Sequence, residues 1–262
     1  MLNEFFQREN IEYFSELSFS DLSVLDEKKM ARLKETMGTV ESAVFFLIPY
    51  SVGQKTTNLS VYAQVRDYHL YARELSLRFG EFLKEKKLSL AYHLAADSSP
   101  VDERLAAAMA GLGVKGENGL LLNERYGSLM FIGEIFLSKS QDPQAPKEIG
   151  NCISCGKCRA ACPTGAVADR TREKCLSHIS QKKRRTAEED DLLAEAECKW
   201  GCDLCQNICP YNKNAKETPI SFFREGLVQF LSEEVIHSPK AEFETRAFSW
   251  RGREILKKNI GK

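Results

Sequence analysis

Cys152-Ile153-Ser154-Cys155-Gly156-Lys157-Cys158-Arg159-Ala160-Ala161-Cys162-Pro163 is the stretch that decides how the rest of the sequence is read. Its spacing, Cys-x2-Cys-x2-Cys-x3-Cys-Pro, is a double-cluster iron–sulfur pattern. Three closely spaced thiolates wrap one face of a cubane, and the fourth cysteine reaches a second cluster. A second run, Cys202-Asp203-Leu204-Cys205-Gln206-Asn207-Ile208-Cys209-Pro210, repeats the pattern without its first cysteine. Two 4Fe-4S clusters need eight thiolates, and these runs supply seven. The eighth is Cys175 or Cys198. Cys198 lies four residues before Cys202, where regular spacing would put the ligand at Lys199, so one cysteine is left over. By the cross-over rule Cys152, Cys155 and Cys158 share a cluster with Cys209. Cys202 and Cys205 share the other with Cys162 and the eighth ligand. Zinc, the competing metal, favours separated Cys-x2-Cys pairs over triples followed by Cys-Pro.

All nine cysteines lie between Cys152 and Cys209. A disulfide framework would spread through the fold of an exported protein, so confinement to one segment points to metal. The N-terminus, Met1-Leu2-Asn3-Glu4-Phe5-Phe6, has no basic stretch ahead of an apolar core and no twin-arginine signal. No apolar run approaches the roughly 18 residues of a membrane span. A cytoplasmic protein without membrane contact is expected. The chain of 262 residues is 43% apolar and 28% charged, as a globular protein is. Lysine plus arginine equals aspartate plus glutamate at 37 each, so any contact with nucleic acid must come from a local patch.

Ahead of the cysteines, residues 1–40 read as helical. The apolar run ESAVFFLIPY (41–50) predicts a buried strand, 51–60 a loop, and 62–87 a long amphipathic helix with Leu70, Leu75, Leu77, Phe79, Phe82 and Leu83 inward. A second strand is predicted over 88–96. Then Asp97-Ser98-Ser99-Pro100 opens a helix, with Ser99 as N-cap and Pro100 in the first turn, ended by Gly111 and Gly113. Apolar runs at 120–123 and 128–137 follow. The alternation predicts an α/β domain over 1–145. A linker near Asp142-Pro143-Gln144-Ala145-Pro146 leads to an α+β, bacterial-ferredoxin-like double 4Fe-4S domain over 146–215 and a helical tail over 216–262. Clusters alone only carry electrons, so something in the front half should receive them.

The residues that follow carry a resemblance: Arg66-Asp67-Tyr68-His69, Asp97-Ser98-Ser99-Pro100 with Glu103-Arg104, Ala110-Gly111-Leu112-Gly113, Leu122-Asn123, Tyr126-Gly127-Ser128, Gly133-Glu134 and Gly201-Cys202-Asp203-Leu204-Cys205-Gln206. In these the chain resembles the epoxyqueuosine reductases, cobalamin-dependent enzymes that complete the queuosine base in tRNA. The resemblance implies a base-off cobalamin between the front half and the clusters, which would reduce its cobalt. Removing an epoxide oxygen as water takes two electrons and two protons, and the family's proton donor falls on Asp97. Read alone, Asp97 could merely help to cap the helix at Ser99. The implied cobalamin contacts are Ser60, Arg66, Asp97, Leu121, Asn123, Ile132 and Ser177, and the implied eighth cluster ligand is Cys175. Implied partners are tRNA and an external electron donor such as ferredoxin or flavodoxin. The chain departs from the pattern at Val65, Val114 and Glu117, which stand where the family often has glycine, tryptophan and lysine. Longer members carry a C-terminal helical repeat domain that grips tRNA, and this sequence stops where that domain would begin, so a short form is expected.

Two other readings stand beside this one: a corrinoid reductase of a small molecule, as in reductive dehalogenases, and a non-catalytic electron carrier. The basic run Lys182-Lys183-Arg184-Arg185 could meet tRNA phosphates, but Glu188-Glu189-Asp190-Asp191 follows and would cancel much of its field. A solvated face is the simpler reading there and for Arg251, Arg253, Lys257 and Lys258. His69 and His93 read as packed residues rather than cobalt ligands. Trp200, beside Cys202, should shield a cluster from water.

Overall fold

The computed structural model describes residues 1–53 and 57–261. Its centre is a four-stranded sheet ordered β1 (Phe14–Ser18), β2 (Ser42–Pro49), β6 (Met130–Leu137), β3 (Tyr92–Ala96). A two-stranded ribbon of β4 (Val114–Lys115) and β5 (Leu121–Leu122) stands apart. The expected mixture of helices and strands is present, and every strand pairing is antiparallel.

Strand β2 is buried along its whole length because both faces of the sheet are covered. Side chains alternate across a strand. Val44, Phe46 and Ile48 enter a core beneath α1 (Leu2–Arg8) and α4 (Tyr68–Glu85). Ala43, Phe45 and Leu47 enter a second core beneath α2 (Glu27–Met37) and α5 (Glu103–Met109). A continuous apolar run usually marks a parallel sheet; here two helical layers produce it around an antiparallel one.

Local differences from expectation have local causes. Residues 1–40 contain a strand, β1, whose FSELS sequence is short and carries Glu16. That carboxylate is buried and accepts hydrogen bonds from the Ser42 hydroxyl (2.5 Å) and from the amides of Gln141 and Asp142 (2.8 Å each). The expected linker is thereby stitched along β1. The long helix predicted over 62–87 breaks into α3 (Val61–Gln64) and α4, whose N-cap is Asp67, and Leu77 is exposed rather than inward. The N-cap of α5 is Asp102, accepting from the Leu105 amide, whereas Ser99 accepts from the Val101 amide in the preceding turn. The loop predicted over 51–60 is irregular where described; residues 54–56 lie outside the described residues.

From 146 to 215 the described residues form helices and turns: α6 (Lys157–Ala160), α7 (Ala166–Asp169), α8 (Leu176–Ile179), α9 (Ala187–Glu195) and α10 (Leu204–Asn207). The expected β component reduces to the isolated bridges Lys115↔Asn151 and Leu59↔Trp200, both to the front half. Nor do residues 216–262 trail as a tail. Ile220, Phe222 and Phe223 enter the core under α4. The helices α11 (Glu233–His237), α12 (Lys240–Phe243) and α13 (Arg253–Ile260) close a third core around Leu59, Ala63, Trp200 and Phe248.

Candidate cluster sites and catalytic cavity

The cysteines sort into two sets in space. Cys152, Cys155, Cys158 and Cys209 line one cavity together with Glu117, Asn118 and Tyr211. Cys162, Cys175, Cys202 and Cys205 line a second, of about 530 Å³. The one-turn helices α6 and α10 pack against each other, which lets each run give its last cysteine to the other run's cavity. Each set lines a space of its own, the first of them of only about 20 Å³. Cys198 lines neither cavity; its thiol donates to the Trp200 carbonyl at 3.1 Å.

The thiols differ in how readily they ionise. Burial pushes Cys205 up to about 12 and Cys202 up to about 11, and it raises Cys158 as well. At Cys162 burial acts in the same direction but is outweighed, so its thiol sits below the ordinary value. The opposing groups are the Val167 amide, the Thr164 hydroxyl and the amides of Thr164 and Ala166. Iron must displace these protons, and N–H groups aimed at a thiolate tune a cluster's potential.

A buried polar network fixes the second cysteine set against the front half. Asp203 accepts from the Ser60 hydroxyl (2.6 Å), the Val61 amide (2.6 Å) and the Gln206 side chain (2.7 Å). Burial raises its pKa, and those three donors oppose the rise. Gln206 in turn accepts from the Ser128 hydroxyl at 2.8 Å, and Asn212 accepts from the Ser128 amide at 2.7 Å. Gly201 makes this approach possible. Its φ is +78°, and a Cβ there would lie 2.4 Å from the Ser60 Cβ. Gly201→Ala combines left-handed strain with a clash against a fixed side chain, and should cost about 2–4 kcal/mol in denaturant unfolding.

Beyond the second cysteine cavity lies a smaller one, of about 160 Å³, lined by Tyr68, Asp97, Glu103, Leu121 and Ile132 among others. Arg104 and Leu120 form walls of both. Glu117 and Asn118 are likewise shared by the two cysteine cavities. The turn between β4 and β5 therefore borders all three spaces, which run in order from the Cys152 set to the Cys162 set to Asp97. Asp97 directly follows β3 with φ +59°, a left-handed conformation that aspartate tolerates at some cost. The Tyr68 hydroxyl faces its carboxylate; burial first, and then that negative charge, raise the Tyr68 pKa. Glu103 is pushed up to about 7 by burial and by Asp97. Glu134 is fully buried, and burial raises its pKa well above the ordinary range. The Ser99 hydroxyl opposes that shift, yet neither Glu134 oxygen has a partner at hydrogen-bonding geometry.

Of the residues that the resemblance implied, Asp97, Leu121 and Ile132 share this cavity. The others lie elsewhere. The Ser60 hydroxyl is engaged with Asp203. Arg66 stacks on Phe222, 3.9 Å from its ring centre, and lines a separate cavity with Glu74 and Glu225. Asn123 holds its own turn by accepting from the Arg125 and Tyr126 amides. Ser177 sits on α8, its carbonyl accepting from Ser180 and Gln181.

Lys182 pairs with Glu189, and Arg185 pairs with Asp190 and Asn259, so half of the basic run is neutralised internally. In the C-terminal segment Arg253 donates to the carbonyls of Ile236 and Ser238, and Lys257 pairs with Glu254. His69 is paired with Asp67, while His93 is exposed. Trp200 packs edge-on against Phe248 in the third core and lines neither cysteine cavity. Tyr68, Glu103 and Glu134 lie within the family-like motifs, and the sequence alone assigns them no role. The available signal was a glutamate inside the apolar run FIGEIFL.

Comparison with known proteins agrees with these arrangements. Residues 151–212 match the family described as a 4Fe-4S double cluster binding domain. An epoxyqueuosine reductase of Francisella cf. novicida is 34% identical over 173 residues, covering 64% of this chain and 48% of its own. That of Cyclobacterium marinum is 31% identical over 198 residues, 73% and 63% respectively. The Escherichia coli protein is 31% identical over 206 residues, 78% and 52%. The chain thus spans about half to two thirds of the curated relatives it matches. The structure of epoxyqueuosine reductase from Streptococcus thermophilus superposes with a TM-score of 0.76 at 22% identity, covering 98% of this chain and 78% of that one. Among the described residues no helix is long and apolar enough to cross a membrane. With eight of its nine cysteines in two fours, this chain matches a 4Fe-4S double cluster binding domain over 151–212 and is similar, in sequence and in fold, to the epoxyqueuosine reductases.

Proposed function

We propose that this chain is a cobalamin- and iron–sulfur-dependent reductase that converts epoxyqueuosine to queuosine in tRNA, in the cytoplasm. One observation carries the reading: the two cysteine cavities share lining residues with each other, and the second shares Arg104 and Leu120 with a cavity that holds an aspartate. Residues 1–145 would form the substrate and cobalamin unit, 146–215 the double-cluster unit, and 216–262 the brace that closes on both.

The cavity of about 530 Å³ is in the size range of ligand sites and would be shared between the nearer cluster and the corrinoid, with the cavity of about 160 Å³ adjoining it. Their shared wall of Arg104 and Leu120, with Leu121 and Ile132 beyond it, suits the edge of a flat macrocycle. When bound, a corrinoid supplies two-electron reduction at its cobalt. The side chains of Ser60, Arg66 and Asn123 are engaged in protein contacts, so any part they play would be through backbone or packing, whereas at Ser177 it is the carbonyl that is engaged. Electrons would enter at the Cys152 set from a ferredoxin- or flavodoxin-like donor. Cys155 is the exposed one among the described cysteines, and Ile153 and Ile208 are exposed beside that set. Cys162, Cys175, Cys202 and Cys205 would hold the nearer cluster. Asp97 would donate a proton to the epoxide oxygen, with Tyr68 orienting its carboxyl. A structure with an epoxyqueuosine-modified tRNA stem loop exists for a protein of this fold, which supports tRNA as the substrate carrier.

The test is anaerobic purification with reconstitution of iron, sulfide and cobalamin, then expression in a reductase-deficient strain. Queuosine should accumulate in tRNA. A tRNA that keeps the epoxide, despite bound corrinoid and intact clusters, would overturn the substrate.

A further inference from the structure

We propose that Glu103 is the proton store behind Asp97: a positioning carboxyl that faces the Asp97 main chain and re-supplies the Asp97 side chain, through the water of their shared cavity, with the second proton of each turnover. The proposal rests on the reductase reading and gives a role to a residue for which that reading had none.

The chemistry asks for such a group. An epoxide becomes an alkene and water by taking up two electrons and two protons. If Asp97 gives the first proton it is left as a carboxylate, and the hydroxide-equivalent oxygen still needs another. A proton leaving the Glu103 carboxyl and arriving at Asp97 restores the donor; Glu103 is left as carboxylate and is reprotonated from solvent.

The geometry supplies the route. Asp97 and Glu103 line the same cavity, which has room for water between them. Glu103 Oε1 is buried without a hydrogen-bond partner, while the Asp97 main-chain N–H faces its carboxyl. Capping of α5 by Asp102 (Asp102 Oδ1 to Leu105 amide, 3.1 Å) fixes Glu103 at the first helical position. The charged and titratable groups facing it come from each neighbouring element. They are Asp97 after β3, Arg104 on its own helix, Lys29 of α2, Tyr68 of α4 and Glu134 of β6. Arg104 and Lys29 favour the charged form, but burial and Asp97 outweigh them. Arg104 is moreover drawn off, donating to the Gly119 carbonyl at 2.8 Å.

The sign of the pH effect follows. A carboxyl at about 7 when folded, against 4.5 when free, stabilises the fold fully below pH 4.5, and that contribution is lost as pH rises through 7. Turnover should fall over the upper part of the same window as the store empties. Glu103→Gln should lower kcat about tenfold at pH 6 and abolish the limb near pH 7. The KM for tRNA and the corrinoid absorbance should not move. Glu103→Asp should restore part of the rate. Independently of activity, Glu103→Gln should flatten the pH dependence of denaturant unfolding of the cofactor-free chain between pH 4.5 and 7, with Glu134→Gln as the comparison that isolates the other buried carboxyl. A Glu103→Gln enzyme with the parent pH profile, or a Glu103→Gln chain with the parent stability–pH curve, overturns the proposal. Should the parent protein leave the epoxide intact, the substrate reading fails, and the stability curve alone then decides for or against a protonated Glu103.

Discussion

Replacing Asp97 with asparagine should lower turnover by at least about 100-fold, at the low end of what a positioned general acid contributes. The change keeps volume and shape. The asparagine carbonyl can still face the Tyr68 hydroxyl, and the left-handed turn at φ +59° suits asparagine as well as aspartate. What disappears is a carboxyl able to pass a proton to a bound substrate. Corrinoid absorbance after anaerobic loading and the iron content should therefore match the parent protein, and single-turnover rates should carry the whole loss. A mutant that turns over at the parent rate would remove Asp97 from the chemistry and leave it as a turn residue. A mutant that loses cobalamin would mark it as a binding residue instead.

The second large effect lies at the cysteines. The intact chain should bind about eight irons, four to a cluster. Cys205→Ala opens the second set and should leave about four, with reductase activity gone, because the cavity bordering Asp97 would no longer hold its electron source. Cys198→Ser should leave the iron count unchanged. Its hydroxyl can donate to the Trp200 carbonyl as the thiol does, at a stability change of about 1 kcal/mol or less. The pair of variants separates ligand from bystander by metal analysis alone. Loss of iron from the Cys198 variant would reassign the eighth ligand.

The cysteine code was readable because ligation fixes residue type and spacing at once. The same rule that counts thiolates also fixes which run lends its last cysteine to the other, and both sets are found as the cross-over requires. The choice between Cys175 and Cys198 was not settled by spacing, because α8 and its turn intervene; it came from family resemblance. The strand at 41–50 was legible through its unbroken apolar run, but not its antiparallel neighbours, since a strand covered on both faces looks alike in either topology. The strand at 14–18 is not legible because Glu16 breaks its alternation, and the partners that satisfy that carboxylate, Ser42, Gln141 and Asp142, lie far along the chain. Asp97 was legible through its motif. Glu103 and Tyr68 gain meaning only when two helices and the end of a strand meet around one space, with Glu134 buried nearby on β6, and no short stretch of sequence records that meeting.

Ile220, Phe222 and Phe223 complete the core beneath α4, yet they follow all nine cysteines in the chain. A polypeptide leaving the ribosome N-terminus first presents Cys152 through Cys209 while its front half still lacks these aromatic plugs. The thiols are therefore synthesised before the core beneath α4 can close. Premature termination between 210 and 219 would spare every cluster ligand and still release a protein whose front half cannot seal.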